Sequence, residues 1–215
     1  MAVWYRLKEH PEQTEKALNA AADALRNGKI VLFPTETVYG VGCDAMNVRA
    51  VKRLYRRKKR PADKPLLLHL HSFAQAEEAA ELSEDAKRLL DAFCPGPLSL
   101  VLPKKPLLPD VVTSGGDTVG LRFPSDPLFR ALSESFGGLI AATSANLSGC
   151  PSAKDSDSLA GIEAVADVIL DAGPCLYKFE STVLSLAGQT PSVLRKGVIT
   201  PEQIKEVTGL CVTSD

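Results

Sequence analysis

The sequence of 215 residues lacks the long apolar segments that membrane and secreted proteins carry. No apolar run approaches the roughly 18 residues that a membrane span requires. The first residues, MAVWYRLKEHPEQ, contain no apolar stretch of signal-peptide length. We therefore expect a cytoplasmic protein without membrane contact. A strong excess of charge of one sign is also missing, because 25 Lys and Arg face 26 Asp and Glu. This balance excludes a generally basic nucleic-acid coat, although not a local basic patch.

Cysteine and histidine are scarce and scattered. The five cysteines are odd in number and form neither a CxxC pair nor a zinc-binding spacing. We expect them to be reduced thiols that pack as small apolar side chains. They are Cys43, Cys94, Cys150, Cys175 and Cys211. The three histidines, His10, His69 and His71, form no HExxH pattern, so the sequence predicts no dedicated metal site.

The common nucleotide and hydrolase motifs are missing as well. There is no GxxxxGK[ST], no GxGxxG after a strand and no GxSxG elbow. A bound nucleotide would therefore be held without a P-loop or a Rossmann fingerprint. Internal repeats, low-complexity tracts and long linkers are also absent, which predicts a single domain over residues 1–215.

What the sequence does contain is a series of helix and strand patterns that interleave without strict alternation. Helical periodicity or end signals predict helices over 11–27, from Asn47 to just before Pro61, and over 83–93, 127–136 and 159–166. A last helix carries a capping box of Thr200 and Gln203. Apolar runs predict strands at 29–33, 66–70, 98–102, 119–123, 139–143, 168–170, 181–186 and 192–194. This order favours an α/β fold, with a twisted mixed β-sheet flanked by helices.

The densest charge feature is the basic run Lys52–Arg60, with Lys64 close behind. On a helix, such a run is usually a solvated face. Its end favours a second interpretation, because Lys58 and Arg60 flank one residue just before Pro61. An extended backbone would place both side chains on one face, where they could hold one phosphate or carboxylate.

Two polar loops follow apolar runs. In α/β sheets, ligands bind beyond the carboxyl ends of strands. The loop Pro34–Gly40 carries two hydroxyls, a carboxylate and a phenol, which suits either a small polar ligand or a capped turn. The loop Ala142–Gly149 places Ser144 and Asn146 two residues apart, so that a hydroxyl and an amide can face one ligand. A serine nucleophile is disfavoured, because no His/Asp pairing is evident.

Seven segments in order resemble the successive signatures of the YrdC-like family. They are GKIVLFPTETVYGVGCDA, KKRPADKPLLLHL, CPGPLSLVLP, TVGLRFPSDP, TSANLSGCPSA, ESTVLSL and SVLRKGVI. The resemblance covers a core of about residues 17–208. It implies a YrdC-like fold in its short, single-domain form.

The resemblance also implies an activity, that of an L-threonylcarbamoyladenylate synthase, a nucleotidyltransferase. Such enzymes use ATP, L-threonine and bicarbonate or carbon dioxide to make the activated intermediate for threonylcarbamoyladenosine in tRNA. Pyrophosphate is released. Mg²⁺ would be brought with ATP, and no organic prosthetic group is implied. Contact with tRNA and with downstream tRNA-modifying enzymes follows as a further expectation.

Residue roles are implied by motif position. The family's KxR motif falls on Lys58 and Arg60 and its SxN motif on Ser144 and Asn146, and these four residues are the expected catalytic set. Expected ATP contacts are Lys58, Arg60, Lys64, Thr118, Asn146 and Arg195. Expected threonine contacts are Thr37, His69, Arg122, Ser144 and Ser181, with Arg122 pairing the carboxylate. Two positions, Lys64 and Cys150, depart from the family pattern.

Two other functions remain open at this stage. One is a non-catalytic module that binds double-stranded RNA or tRNA through the basic face 52–60, with an affinity that falls steeply with salt. The other is a paralogue that keeps the fold and binds a nucleotide but makes another product. Taken without the resemblance, His69, Arg122 and Arg195 are each more often structural than catalytic.

Overall fold

A computed structural model describes residues 2–214 and contains one mixed β-sheet. Its strands are β1 (Val3–Arg6), β2 (Val31–Phe33), β3 (Gly40–Asp44), β4 (Leu67–His69), β5 (Leu98–Pro103), β6 (Thr118–Arg122), β7 (Ile140–Ser144), β8 (Val168–Asp171), β9 (Thr182–Ser185), β10 (Ser192–Arg195) and β11 (Thr213–Ser214). Their order across the sheet is β1-β8-β2-β3-β7-β4-β6-β5-β9-β10-β11. Parallel and antiparallel pairs alternate irregularly, so the predicted mixed α/β fold is confirmed.

All of the described α-helices except α1 begin at a residue whose side chain caps the helix. They are α1 (Thr14–Arg26), α2 (Val48–Lys58), α3 (Phe73–Ala79), α4 (Glu84–Phe93), α5 (Pro127–Phe136) and α6 (Pro201–Thr208). The Asn47 side chain accepts a hydrogen bond from the Ala50 amide at the start of α2. Thr200 and Gln203 form the predicted capping box of α6. The capping signals in the sequence therefore located these starts correctly.

Helices cover both faces of the sheet, because neighbouring residues of the central strands point in opposite directions. On one face, Val31 and Phe33 pack with α1 and α5. On the other, Ile30 and Leu32 join the larger cluster beneath α2, α3, α4 and α6. The core is thus divided by the sheet, and none of the helices within residues 2–214 is long and apolar enough to cross a membrane.

Several sequence expectations were wrong. The helix expected over 159–166 is a short 3-10 turn, Asp157–Leu159, followed by turns, because Gly161 has a left-handed φ of 84°. The backbone at Lys58 and Arg60 is not extended. Lys58 is the last residue of α2, and Lys59 is left-handed with φ 52°. The sequence analysis also missed β1, β3, α3 and β11.

The cysteines are free thiols, but they do not share one environment. Cys43 and Cys175 are buried, as expected of small apolar side chains, and Cys94 is half-buried. Cys150 and Cys211 are exposed, which corrects the expectation for those two. Cys150 lies in the segment after β7 and Cys211 lies between α6 and β11, so both are outside the sheet.

Candidate functional site

A cavity of about 210 Å³ opens at the centre of the sheet. The pairing of β3 with β7 brings Gly40 opposite Ser144, and the pairing of β4 with β6 brings His69 beside Arg122. The segment before β9 and the end of β10 close the opposite side. The polar lining residues are Thr35, Tyr39, Arg60, His69, Arg122, Thr143, Ser144, Glu180, Ser181 and Arg195.

Lys58 and Arg60 converge on one hydroxyl, even though the backbone between them is not extended. Lys58 Nζ donates to Thr143 Oγ1 at 3.1 Å and Arg60 Nη1 donates to the same oxygen at 3.3 Å. Arg60 also donates from Nε to the Lys64 carbonyl and from Nη2 to the Pro65 carbonyl. Since a guanidinium has five N–H donors, two remain for a ligand in the cavity.

Lys58 holds the turn after β7 together. Only 1% of this residue is exposed, and its ammonium donates to Thr143 Oγ1, the Ser144 carbonyl and Asn146 Oδ1. These three bonds use all three donors of an ammonium. Ser144 Oγ also donates to Asn146 Oδ1, at 2.9 Å. Burial, followed by the charge of Arg60, lowers the pKa of Lys58 to about 7, so this residue changes charge near neutral pH.

Arg122 lies at the end of β6 inside a buried polar cluster. Its Nη2 donates to Glu36 Oε1 at 3.0 Å and to the Thr37 hydroxyl. Glu36 Oε2 accepts from the Ser125 amide, so both carboxylate oxygens are held. The Arg122 Nε, in contrast, is buried and has no hydrogen-bond partner. A buried donor without a hydrogen-bond partner is costly.

His69 faces the same part of the cavity as Arg122, its register partner. The residue is 3% exposed, and its Nδ1 is buried without a hydrogen-bond partner. Its ring packs against Phe33 and Phe129 in edge contacts. Burial, helped by the charges of Arg122 and Arg195, lowers the pKa of His69 well below its usual value. The ring is therefore neutral at physiological pH, with one ring nitrogen a donor and the other an acceptor.

Arg195 forms the opposite wall with Ser181 and Glu180. Arg195 Nη2 donates to Ser181 Oγ at 2.9 Å, and Nε donates to the Ser181 carbonyl at 3.1 Å. Ser181 Oγ also lies 3.0 Å from Ser99 Oγ. The third arm of Arg195, Nη1, lies 2.7 Å from Glu180 Oε2. Ser152 Oγ donates to the other carboxylate oxygen of Glu180 at 2.7 Å.

Most of the sequence-predicted site residues gather here, at different depths. Six of them line the cavity, namely Arg60, His69, Arg122, Ser144, Ser181 and Arg195. Lys58, Asn146 and Thr37 stand directly behind that lining and bond to it. Lys64 and Thr118 lie apart from the lining. Lys64 is exposed, and the β4–β6 register places Thr118 level with Pro65.

The rest of the basic run is divided between structure and solvent. Arg57 Nη1 lies 2.8 Å from Asp167 Oδ1, and Arg53 Nη2 lies 3.3 Å from Oδ2 of the same carboxylate. Lys52, Arg56 and Lys59 are exposed. The run is therefore not one continuous cationic face, because its partly buried members tie α2 to the start of β8.

Sequence reasoning did not pair Glu36, the carboxylate of the loop Pro34–Gly40, with Arg122, and it did not pair Glu180 with Arg195. It also missed Thr143 and Ser152. Each of the two carboxylates neutralises an arginine of the cavity, Arg122 and Arg195 respectively. The sequence did contain a signal for these pairs. Glu36 and Glu180 each stand beside a motif that forms the cavity, and an acidic side chain that becomes buried needs a cationic partner.

The fold and the cavity define an α/β protein with a small polar site for anions. Three arginines and a buried lysine surround or support the cavity. Two buried nitrogens of its lining residues, Arg122 Nε and His69 Nδ1, have no hydrogen-bond partner. Ser144 is bonded to Asn146, so its hydroxyl belongs to a structural network. Such a site can hold charged reactants together and neutralise charge that develops between them.

Comparison with known proteins identifies the family. Residues 23–197 match the family model Sua5_yciO_yrdC, described as "Telomere recombination". The threonylcarbamoyl-AMP synthase of Pyrococcus abyssi is 42% identical over 211 residues, which are 97% of this chain and 62% of that protein. A putative threonylcarbamoyl-AMP synthase of Methanocaldococcus jannaschii is 35% identical and matches over 91% of each chain. The chain belongs to the Sua5/YciO/YrdC family.

Solved structures agree. The structure of P. abyssi Sua5 complexed with L-threonine superposes with a TM-score of 0.89 at 41% identity, covering 99% of this chain and 62% of that one. Escherichia coli YciO superposes with a TM-score of 0.84 at 25% identity, covering 95% of this chain and 100% of its own. This chain therefore spans about three fifths of the length of the P. abyssi protein, and the whole length of a shorter family member.

Proposed function

We propose that this protein is an L-threonylcarbamoyladenylate synthase. The observation that carries the proposal is the cavity wall formed by Arg122 and His69, which lie side by side at one register position of β4 and β6. They lie in the same cavity as Arg60 and Arg195, so a site for a small amino acid adjoins a site for phosphates. The relatives' names, and the threonine complex of P. abyssi Sua5, support this assignment.

Threonine fits the inner part of the cavity. The Arg122 guanidinium would pair with the carboxylate, and the fixed Glu36 keeps it from turning away. The neutral His69 and the hydroxyl of Ser181 offer partners for the threonine hydroxyl and amine. A charge-assisted hydrogen bond to a guanidinium is stronger than one between neutral groups, which favours a ligand with a carboxylate.

The chemistry then needs positioning more than a protein nucleophile. The threonine amine forms a bond to the carbon of carbon dioxide while one C=O π bond opens and the nitrogen releases a proton to solvent, which gives an N-carboxylated amino acid. From bicarbonate, the same product forms with loss of water. A carboxylate oxygen of that product forms a bond to the α-phosphorus of ATP, and the bond from the α-phosphorus to pyrophosphate breaks. Arg60 has two free N–H donors for the phosphates, and Arg195 adds charge from the other wall.

Lys58 and Asn146 would act from behind the lining. Lys58 fixes the Ser144 carbonyl and the Asn146 side chain, and its charge reaches the phosphates at Arg60. Lys64 and Thr118, at the level of Pro65, would contact the outer part of the nucleotide. We assign them this part because both flank the loop that holds Arg60.

Magnesium would enter with the triphosphate. Among the residues described around the cavity, Glu180 is the carboxylate that lines it, and both of its oxygens are engaged by Ser152 and Arg195. Across residues 2–214, there is no group of three metal-ligating side chains. We therefore assign the ligands of the ion to the phosphates of ATP.

A non-catalytic RNA-binding module explains less of the structure. That interpretation depends on a continuous basic face over 52–60, whereas Asp167 neutralises Arg53 and Arg57 and Lys58 is buried. It also does not account for the cavity that Arg60, Arg122 and Arg195 line. We therefore assign tRNA as the eventual acceptor of the threonylcarbamoyl group, handed on by downstream modifying enzymes in the cytoplasm.

The experiment that tests this function is pyrophosphate release from ATP, with threonine and bicarbonate each present or omitted. We expect release that requires both, with threonylcarbamoyl-AMP identified by mass. Arg60→Ala should reduce release more than about a hundredfold, since it removes a phosphate partner. Arg56→Ala, an exposed arginine of α2, the helix that ends two residues before Arg60, is the matched control and should keep wild-type turnover. Release that is independent of threonine would contradict the proposal.

A further inference from the structure

Glu180 is a carboxylate placed among the cations of a site that we propose to bind ATP. It lies two residues before the start of β9 and lines the cavity. Its Oε2 lies 2.7 Å from Arg195 Nη1, and its Oε1 accepts a hydrogen bond from Ser152 Oγ at 2.7 Å. Glu180 therefore bridges two walls, because Ser152 belongs to the segment after β7 and Arg195 ends β10. A carboxylate at this point repels phosphates, so its presence needs an explanation.

The Arg195 guanidinium is fixed through two of its nitrogens, and the third, Nη1, faces an anionic group. Two of its nitrogens are fixed on Ser181, through the carbonyl and the hydroxyl. Nη1 projects from this fixed base and meets Glu180. Without the carboxylate, the half-buried guanidinium would lack a counter-charge in the empty protein. The Glu180 carboxylate thus stands where an anionic group of a ligand would satisfy Arg195.

The two arginine–glutamate pairs of the cavity differ in depth. The side chains of Arg122 and Glu36 are 5% and 3% exposed, and both oxygens of Glu36 are bonded inside the protein. The side chains of Arg195 and Glu180 are 39% and 34% exposed. A buried pair is costly to separate, whereas a solvent-accessible pair separates at little cost because water solvates both partners. Glu36 is therefore a permanent partner, and Glu180 can leave.

We infer that the Glu180 carboxylate is an internal anion, which occupies the Arg195 side of the nucleotide site and is displaced by the phosphates when ATP binds. The inference deepens the proposed function and rests on its assignment of Arg195 to the nucleotide. Displacement frees Arg195 Nη1 and Ser152 Oγ together, so two donors on opposite walls become available in one step. A highly charged triphosphate competes with the carboxylate better than a monophosphate does, which selects for ATP over AMP.

The test compares anion affinities of three full-length proteins by titration calorimetry. The proteins are the wild type, Glu180→Gln and Glu78→Gln, an exposed glutamate of α3 that matches the change in net charge. The probes are inorganic triphosphate, a non-hydrolysable ATP analogue, AMP and threonine. We expect Glu180→Gln to bind triphosphate and the ATP analogue about five- to tenfold more tightly. The affinity of Glu180→Gln for AMP should increase by at least the same factor. The ratio of triphosphate affinity to AMP affinity should therefore be smaller in this variant than in the wild type.

Controls and contrary outcomes follow from the same titrations. Glu78→Gln should stay within twofold of the wild type, and threonine affinity should change in neither variant. Equal or weaker triphosphate binding by Glu180→Gln would overturn the inference, and weaker binding would indicate that the carboxylate assists the nucleotide. If neither the wild type nor Glu180→Gln binds triphosphate, the inference also fails. Failure of the proposed function is separate, because it appears as missing threonine-dependent pyrophosphate release in a protein that still binds triphosphate.

Discussion

The ammonium of Lys58 lies 2.7 Å from Oδ1 of Asn146, across 88 positions of the chain. This bond joins the end of α2 to the turn after β7. It also occupies an N–H donor that a phosphate-binding lysine would direct to its ligand. Asn146 in turn gives its Nδ2 to the Cys150 carbonyl. Lys58 and Asn146 therefore bond to each other, and together they hold the cavity-lining residue Ser144 in place.

The first prediction concerns protons taken up with ATP. Since burial lowers the pKa of Lys58 to about 7, most of its ammonium is lost at pH 8 in the free protein. Phosphates bound at Arg60 favour the charged form and raise that pKa again. We expect ATP binding at pH 8 to take up nearly one proton, and ATP affinity to fall as the pH rises above 7. Calorimetry in buffers of different ionisation enthalpy measures the uptake.

The variants for this measurement are adjacent lysines. Lys58→Met should abolish the proton uptake, whereas Lys59→Met, at an exposed left-handed position, should leave it unchanged. Unchanged uptake in Lys58→Met would show that another group titrates.

The second prediction separates threonine binding from folding. Arg122→Met should raise the threonine requirement far more than the ATP requirement, because it removes the carboxylate partner. It should also lower the free energy of unfolding by about 3–5 kcal/mol, since it leaves Glu36 buried without its counter-charge. The double variant Arg122→Met/Glu36→Gln should recover part of that stability. Threonine binding by isothermal titration and unfolding in urea give the two quantities.

In the double variant, threonine affinity should remain lost. Recovery of threonine affinity together with stability would show that Arg122 serves the fold and does not contact the substrate.

A third prediction follows from the neutral His69. Its pKa is lowered on folding, so below pH 6.5 the unfolded chain binds a proton that the native protein does not. Acid therefore favours unfolding, and this contribution to stability is complete above pH 6.5. Between pH 6.5 and 5, we expect the His69 contribution to fall by up to about 1.4 kcal/mol per pH unit. Urea unfolding across that range measures the slope.

His69→Gln removes the titrating ring and keeps a polar side chain at the site. Its stability should decline less steeply with acid than that of the wild type. Parallel slopes for the two proteins would mean that His69 does not titrate differently in the two states.

The fourth prediction uses two glycines of the C-terminal third. A Cβ at Gly197 would overlap backbone atoms of Glu180, Ser181 and Thr182, which have no room to withdraw inside the sheet. Gly197→Ala should lower stability by about 3 kcal/mol and weaken triphosphate binding, since it displaces the wall that carries Ser181. Gly188→Ala is the control, because its nearest neighbour is Thr190 O at 3.7 Å. Thermal unfolding and calorimetry test both, and equal effects would contradict the packing argument.

The sequence predicted local structure where a local interaction decides it. Ser83 and the Thr200–Gln203 box cap helices within three residues of themselves, so their patterns are visible in the chain. The strand Gly40–Asp44 was missed, because GVGCD has two glycines and no alternation. Its conformation is imposed by β2 and β7 on either side, and those partners are distant in sequence.

The residue types of the site could be predicted from the sequence, but the ion pairs and hydrogen bonds between those residues could not. Motif position gave Arg122 and Arg195, but their carboxylate partners depend on strand register. Arg122 reaches Glu36 across 86 positions of the chain, and Ser152 reaches Glu180 across 28. The angle at the end of α2 likewise depends on a left-handed Lys59, which no residue type there demanded.

The strand order has a consequence for how the molecule is made. Val168 of β8 pairs with Val31 of β2 and, on its other side, with Val3 of β1. The Ile30 amide reaches Asp167 across 137 positions. A growing polypeptide on the ribosome cannot complete this half of the sheet until β8 has emerged, and such distant pairings slow folding. Until then the edge of β2 that pairs with β8 stays without a partner, so truncation before β8 should yield an aggregating fragment and not a smaller folded domain.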